Sequence, residues 1–197
     1  VPAGWVQTLR RHFEAAPTVG AIGPLSNDAR HQSVPFASNS VVDWTHHERN
    51  ERPPPVDLLA VNRFLVARDP QPAITRVPMI NGFCMALSRD ALQQVGGFDT
   101  DAFPEGYGEE VDWCYRAVDA GVELAIALDL YVHHAKSRSY SPARAAVLRP
   151  QATDTLGQRW GLRSKRSLRS LARNESLRAV RADVELLYTC VGDVTSH

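Results

Sequence analysis

The side chains best able to do chemistry are concentrated in Gly106-Tyr107-Gly108-Glu109-Glu110-Val111-Asp112-Trp113, where a glycine-flexed loop delivers carboxylates to what reads as the first turn of a helix. Free N–H groups and the helix dipole favour negative charge at such a terminus, so N-terminal capping is the simplest use for them. Three acids in four positions exceed what capping needs, however, and Gly106 and Gly108 let backbone and ligand approach closely. One of Glu109, Glu110 and Asp112 is therefore expected to act as a general base. A second cluster, Val132-His133-His134-Ala135-Lys136-Ser137-Arg138-Ser139, runs from an apolar strand into polar residues. Imidazole can ligate a divalent metal ion, and Lys136, Ser137, Arg138 and Ser139 suit phosphate oxygens. The plain alternative is a surface histidine pair in a basic loop. Asn81-Gly82-Phe83-Cys84 is equally open, because a polar residue beside glycine on a buried strand can be no more than a bulge.

These residues need elements to hold them. Trp5, Val6, Leu9 and Phe13 recur at helical intervals, Pro17 stops the pattern, and Val19 to Ile22 reads as a strand ending in the turn formers Gly23 to Asp28. From about Ala29 to Arg76 the chain is polar and proline-rich, with Pro53-Pro54-Pro55 and one helical stretch, Val56 to Val66. Pro78 to Leu87 reads as a buried strand. Ser88 then caps a helix whose Ala91, Leu92 and Val95 face the core and which Gly96-Gly97 terminates. Helical spacing returns from Glu109 to Ala120, and Leu124 to Leu128 with Tyr131-Val132 makes the next strand. This order predicts an α/β domain with a mixed sheet over residues 1–141. Residues 142–197 form a helical tail, Pro142 to Trp160 and Ser164 to Tyr188, with breaks expected at Pro150 and Gly161.

Composition bounds the possibilities. A chain of 197 residues with 44% hydrophobic and 22% charged residues is that of a globular protein with one core of ordinary size. No apolar run spans a bilayer, and Cys84, Cys114 and Cys190 lack the spacing of a disulfide framework or zinc site, which fits a reducing cytoplasmic compartment. Val1-Pro2, with no Met and no capping preamble, reads as a chain continuing upstream. Neutral overall charge conceals a basic tail: residues 142 to 181 carry ten Arg or Lys against Asp154 and Glu175. Such an arm beside an acidic body is either a solvated helix face or a contact for an anionic partner, such as a lipid headgroup surface or lipid diphosphate. No nucleic-acid recognition motif accompanies the charge.

Taken together, Asn81 to Met85, Val95-Gly96-Gly97-Phe98-Asp99, Phe103 to Arg116, Ala120-Gly121 and Tyr131 to Ser137 resemble the C-terminal half of family 2 glycosyltransferases, in the bacterial rhamnosyltransferase-like branch. Pro2 to Trp5 and Val19 to Asn27 resemble the segment just after that family's Asp-x-Asp strand, so the resemblance covers most of residues 1–141. It implies the C-terminal half of a GT-A fold and inverting transfer from a nucleoside-diphosphate sugar to a hydroxyl of a glycan or lipid-linked glycan, in cell-surface polysaccharide synthesis. The family's base falls on Glu110, where Asp is usual, with Glu109 and Asp112 as alternatives. Its metal-ligating histidine falls on His134, for Mg²⁺ or Mn²⁺. Asn81, Gly82, Asp99, Tyr107, Gly108, Trp113, Arg116, Lys136, Ser137 and Ser139 are the substrate-binding positions. The family's nucleotide-binding acid and Asp-x-Asp site are not among these residues, so this chain alone is expected to be inactive, and the basic arm to meet the inner face of the plasma membrane. Two rivals stand beside this reading. One is a glycan-binding module stacking sugars on Tyr107 and Trp113; the other is a metal-dependent hydrolase built on His133, His134 and the acids.

Overall fold

The computed structural model describes residues 1–37, 58–68, 73–135 and 142–194. Two strands buried on both faces, β1 (Val19–Leu25) and β4 (Glu123–Tyr131), run parallel at the centre of a four-stranded sheet. β2 (Ile74–Arg76) and β3 (Ala86–Leu87) flank them antiparallel, giving the order β2-β4-β1-β3. Burial on both sides is why the central strands read as nearly continuous apolar runs. Along β4, Leu124, Ile126 and Leu128 face one hydrophobic cluster, and Ala125 and Ala127 face another, as the two-residue strand period requires. An irregularity in register between Val19 and Ala21 brings Val19 and Ile22 to the same face of β1.

One face is covered by α1 (Trp5–Ala15) through Leu9, Trp5 and Phe13, whereas Val6 points out and is 54% exposed. The other face carries α2 (Leu58–Ala67), α3 (Arg89–Val95) and α4 (Glu109–Asp119), with the tail helices α5 (Pro142–Arg173) and α6 (Glu175–Val194). The basic helices are built into this core: Leu171, Leu177, Val180 and Val184 are each at most 2% exposed and share a cluster with Trp113, Tyr115 and Ile126. Ser88 caps α3 by accepting the Ala91 N–H at 3.1 Å, and Gly96, at φ 81, ends it. In this two-turn helix only Ala91 is fully buried; Leu92 is 40% exposed and does not face the core. Gly20 leaves no room for a side chain, since a β-carbon there would lie 2.3 Å from Val122 Cγ1 and 2.6 Å from Ala91 Cβ.

Several sequence expectations are corrected. Residues 78–85 are not strand; only Ala86–Leu87 joins the sheet. Side chains replace ladder partners there: Gln32 Oε1 accepts the Asn81 N–H at 2.5 Å, Cys114 Sγ takes the Ile80 N–H at 3.5 Å, and Asn81 Oδ1 turns the chain by accepting the Phe83 N–H at 3.0 Å. The strand Ile74–Arg76 goes unread in the sequence, and the strand read over Leu124 to Val132 runs Glu123–Tyr131. The helix expected over 56–66 runs Leu58–Ala67 where it is described, while Pro53-Pro54-Pro55 lies outside the described residues. Pro150 does not interrupt α5, because it and Ala146, whose carbonyl its missing N–H frees, are both exposed to water. Gly161 does kink the helix (φ 13, ψ −97), and the second break falls at Asn174, whose Oδ1 caps α6 by accepting the Leu177 N–H at 3.0 Å.

Candidate functional site

Parallel strands put their C-terminal ends at one edge of a sheet, where ligands of α/β proteins gather. At that edge β1 continues into Ser26-Asn27-Asp28 and β4 into Val132-His133-His134, and Asn27 joins them like a strand surrogate. Its Oδ1 accepts the His134 N–H at 2.8 Å and its Nδ2 donates to the His134 carbonyl at 3.2 Å. His134 Nδ1 lies 2.7 Å from the Asp28 carbonyl, an acceptor only, so Nδ1 must carry the proton and Nε2 presents a lone pair. Burial lowers the His134 pKa and holds the ring neutral at pH 7. A neutral imidazole whose other nitrogen donates to a backbone carbonyl is the arrangement in which histidine ligates metals. His134 thus fits as one ligand of Mg²⁺ or Mn²⁺, and no group of three His, Cys, Asp or Glu side chains converges on a common point among the described residues.

The segment Asn81-Gly82-Phe83 links His134 to the acidic helix. Phe83 stacks on the His134 ring with centroids 5.2 Å apart and planes at 29°. On its other side, Gly82 lies against Glu110 so closely that a β-carbon on it would be 3.0 Å from Glu110 Cβ. Gln32, fully buried, holds the segment in place by donating to the Pro24 carbonyl at 2.7 Å while accepting from Asn81. Beside it, burial drives the His31 pKa down to about 3, and His31 Nε2 donates to the Met79 carbonyl at 2.9 Å, so this imidazole is a neutral strut.

The three acids separate into different environments. Gly106, Tyr107 and Gly108 all have positive φ (84, 62 and 107), a conformation that costs the non-glycine Tyr107 roughly 1–2 kcal/mol and aims the first turn of α4. Glu110 Oε2 accepts the Gly108 N–H at 3.2 Å beside Gly82. Glu109 Oε2 is buried without a hydrogen-bond partner, and burial, then the charge of Glu110, raises the Glu109 pKa. A carboxyl raised in the folded state contributes stability that is full below the unfolded pKa and is lost as pH rises through the folded one. Glu109→Gln is therefore expected to raise the urea midpoint at pH 7, the gain closing as pH falls through the raised folded pKa toward about 4, the ordinary glutamate value; equal midpoints across this range would contradict it.

Asp112 is fully buried and engaged on both oxygens: Oδ2 accepts from Arg116 Nε at 2.9 Å, and Oδ1 accepts from Arg159 Nη1 at 3.1 Å and Trp160 Nε1 at 2.9 Å. Buried and held by three donors, it is the most engaged of the three carboxylates, and Glu110 and Glu109 are the more accessible ones. Trp113 is fully buried and donates to the Gly96 carbonyl at 2.8 Å, so it offers no stacking face. Arg116 ties α4 to the end of α3 through the Val95 and Gly97 carbonyls at 2.9 and 2.8 Å. Asp99 caps the Ala102 N–H at 2.9 Å and pairs with Arg159 at 2.8 Å; these contacts hold its carboxyl below the usual range. Gly108 is packed by Phe103 and Leu156, and the guanidinium of Arg149 lies 5.5 Å from the Tyr107 ring centre. Lys136, Ser137, Arg138 and Ser139 lie outside the described residues. Asn27, Gln32, Arg159 and Trp160 are the site-building residues that sequence reasoning missed.

The fold and site thus define an α/β protein with a four-stranded mixed sheet, bearing a histidine and a carboxylate pair on either side of one short segment. No family model, curated protein or solved structure matches this chain.

Proposed function

We propose that these residues form the acceptor side of an inverting glycosyltransferase of the GT-A type, moving a sugar from a nucleoside diphosphate to a hydroxyl of a glycan or lipid-linked glycan. The observation that supports it best is Asn81-Gly82-Phe83, which has Glu110 against Gly82 and His134 against Phe83. Inverting transfer needs a carboxylate to orient and deprotonate the acceptor hydroxyl and a means of neutralising the diphosphate that leaves. Glu110 takes the hydroxyl proton as the acceptor oxygen bonds to the anomeric carbon and the bond to the diphosphate oxygen breaks, inverting that carbon. His134 Nε2 helps hold Mg²⁺ or Mn²⁺, which supplies Lewis-acid stabilisation of the diphosphate when bound. Residues 1–141 make up the half of the catalytic domain on this side, and the reaction faces the cytoplasm.

The test uses the full-length gene product with UDP-, GDP- and dTDP-sugars and Mg²⁺ or Mn²⁺. Sugar-nucleotide turnover is expected, and His134→Ala should weaken Mn²⁺ binding, measured by calorimetry, by at least about tenfold. Folded protein that turns over none of these donors, or an unchanged Mn²⁺ affinity in the variant, would sink the reading.

A further inference from the structure

Eight of the ten cations between residues 142 and 181 fall into two groups. Arg144 pairs with Glu105, Arg159 with Asp99 and Asp112, and Arg163 with Asp119, while Arg181 donates to the His31 and Ser33 carbonyls. These arginines fasten α5 and α6 to the acidic body. Lys165, Arg166, Arg169 and Arg173 are exposed and pair with no acid among the described residues. With Leu162, they recur at intervals of three and four, and so share one stripe of α5. The opposite side of the helix is anchored in the protein by Ser167 (5% exposed) and Leu171 (2%), which turns the stripe squarely outward. No acid occurs between Gly161 and Arg173. Arg166, Arg169 and Arg173 also border an open groove of about 540 Å³ with Ser170 and Asn174.

We propose that the outer face of α5 from Leu162 to Arg173 docks flat on an anionic lipid bilayer. Unpaired cations call for an anionic partner, and two further features favour a bilayer over nucleic acid. Leu162 is 72% exposed in line with the cations and Leu168 is 54% exposed at the flank, apolar groups that a headgroup region can take up. The stripe also has no aromatic side chain on which bases could stack. Fixed on a rigid body, it meets a surface without first having to fold.

Co-sedimentation with phosphatidylcholine vesicles, with and without 30% phosphatidylglycerol, tests this. Wild type is expected to bind only the anionic vesicles, and less as NaCl rises. Arg166→Gln/Arg169→Gln/Arg173→Gln should bind on the order of 100-fold more weakly. Leu162→Ser should lose several-fold more, and Arg144→Gln, whose guanidinium already has an acid, should stay within about twofold of wild type. Circular dichroism and melting curves certify each variant as folded. Equal binding to both vesicle types, a folded triple variant that binds like wild type, or a wild type that ignores vesicles but binds a DNA duplex through the same arginines overturns the proposal.

Discussion

Glu110→Gln is expected to lower sugar transfer by about 10²–10⁴-fold in the full-length gene product, with little change in the apparent KM for the donor. Glutamine keeps the length and shape of the side chain. Its oxygen can still accept the Gly108 N–H, and its aliphatic part can still lie against Gly82, so the first turn of α4 is not disturbed. What is lost is the ability to take a proton, which is needed only as the acceptor oxygen attacks. Glu109→Gln is the control beside it. That carboxylate lies toward Gly106 on the other side of the loop, and its removal should leave the rate within about tenfold. If Glu110→Gln transfers sugar at the wild-type rate, or if Glu109→Gln is the dead variant, the base has been assigned to the wrong carboxylate.

Asp112→Ala is expected to destabilise the fold by about 3–5 kcal/mol, the usual cost of removing one partner from a buried charge network. The substitution leaves Trp160 Nε1 without its acceptor and takes one carboxylate from between two guanidiniums. Arg116 retains the Val95 and Gly97 carbonyls and Arg159 retains Asp99, which limits the damage to the junction of α4 and α5. Asp112→Asn should fall between, since an amide can still accept from Trp160 but must turn a donor toward Arg116. Urea denaturation of the three proteins measures the order. A folded Asp112→Ala protein of wild-type stability but no activity would return Asp112 to the list of candidate bases.

Much of the fold was legible because its signals are local. Ser88 and Gly96 bracket α3, Gly121 turns the chain into β4, and the apolar spacing of Val111, Cys114 and Tyr115 marks the buried face of α4. Residues 78–85 misled because their partners are distant: Gln32 is 49 positions from Asn81, and Cys114 is 34 from Ile80. The same remoteness hid the role of Asp112. A carboxylate in a first helical turn looks available until Arg159 and Trp160, 47 and 48 positions on, close over it. Trp113 shows the converse, an aromatic beside candidate acids that lies wholly in the core and donates to the Gly96 carbonyl at the end of α3. Glu110, His134 and the segment around Gly82 were all named from sequence, but that the segment lies between the other two emerges only once the chain is folded.

The placement of Leu177, Val180 and Val184 in the same core as β1 and β4 has a consequence for how the chain is made. A ribosome releases β1 about 150 residues before α6, so one face of the nascent sheet, covered until then only by α2, α3 and α4, lacks part of its cover until the last helices emerge. Folding of this unit is therefore completed only after those helices leave the exit tunnel, and its uncovered apolar face is available to chaperones throughout that interval.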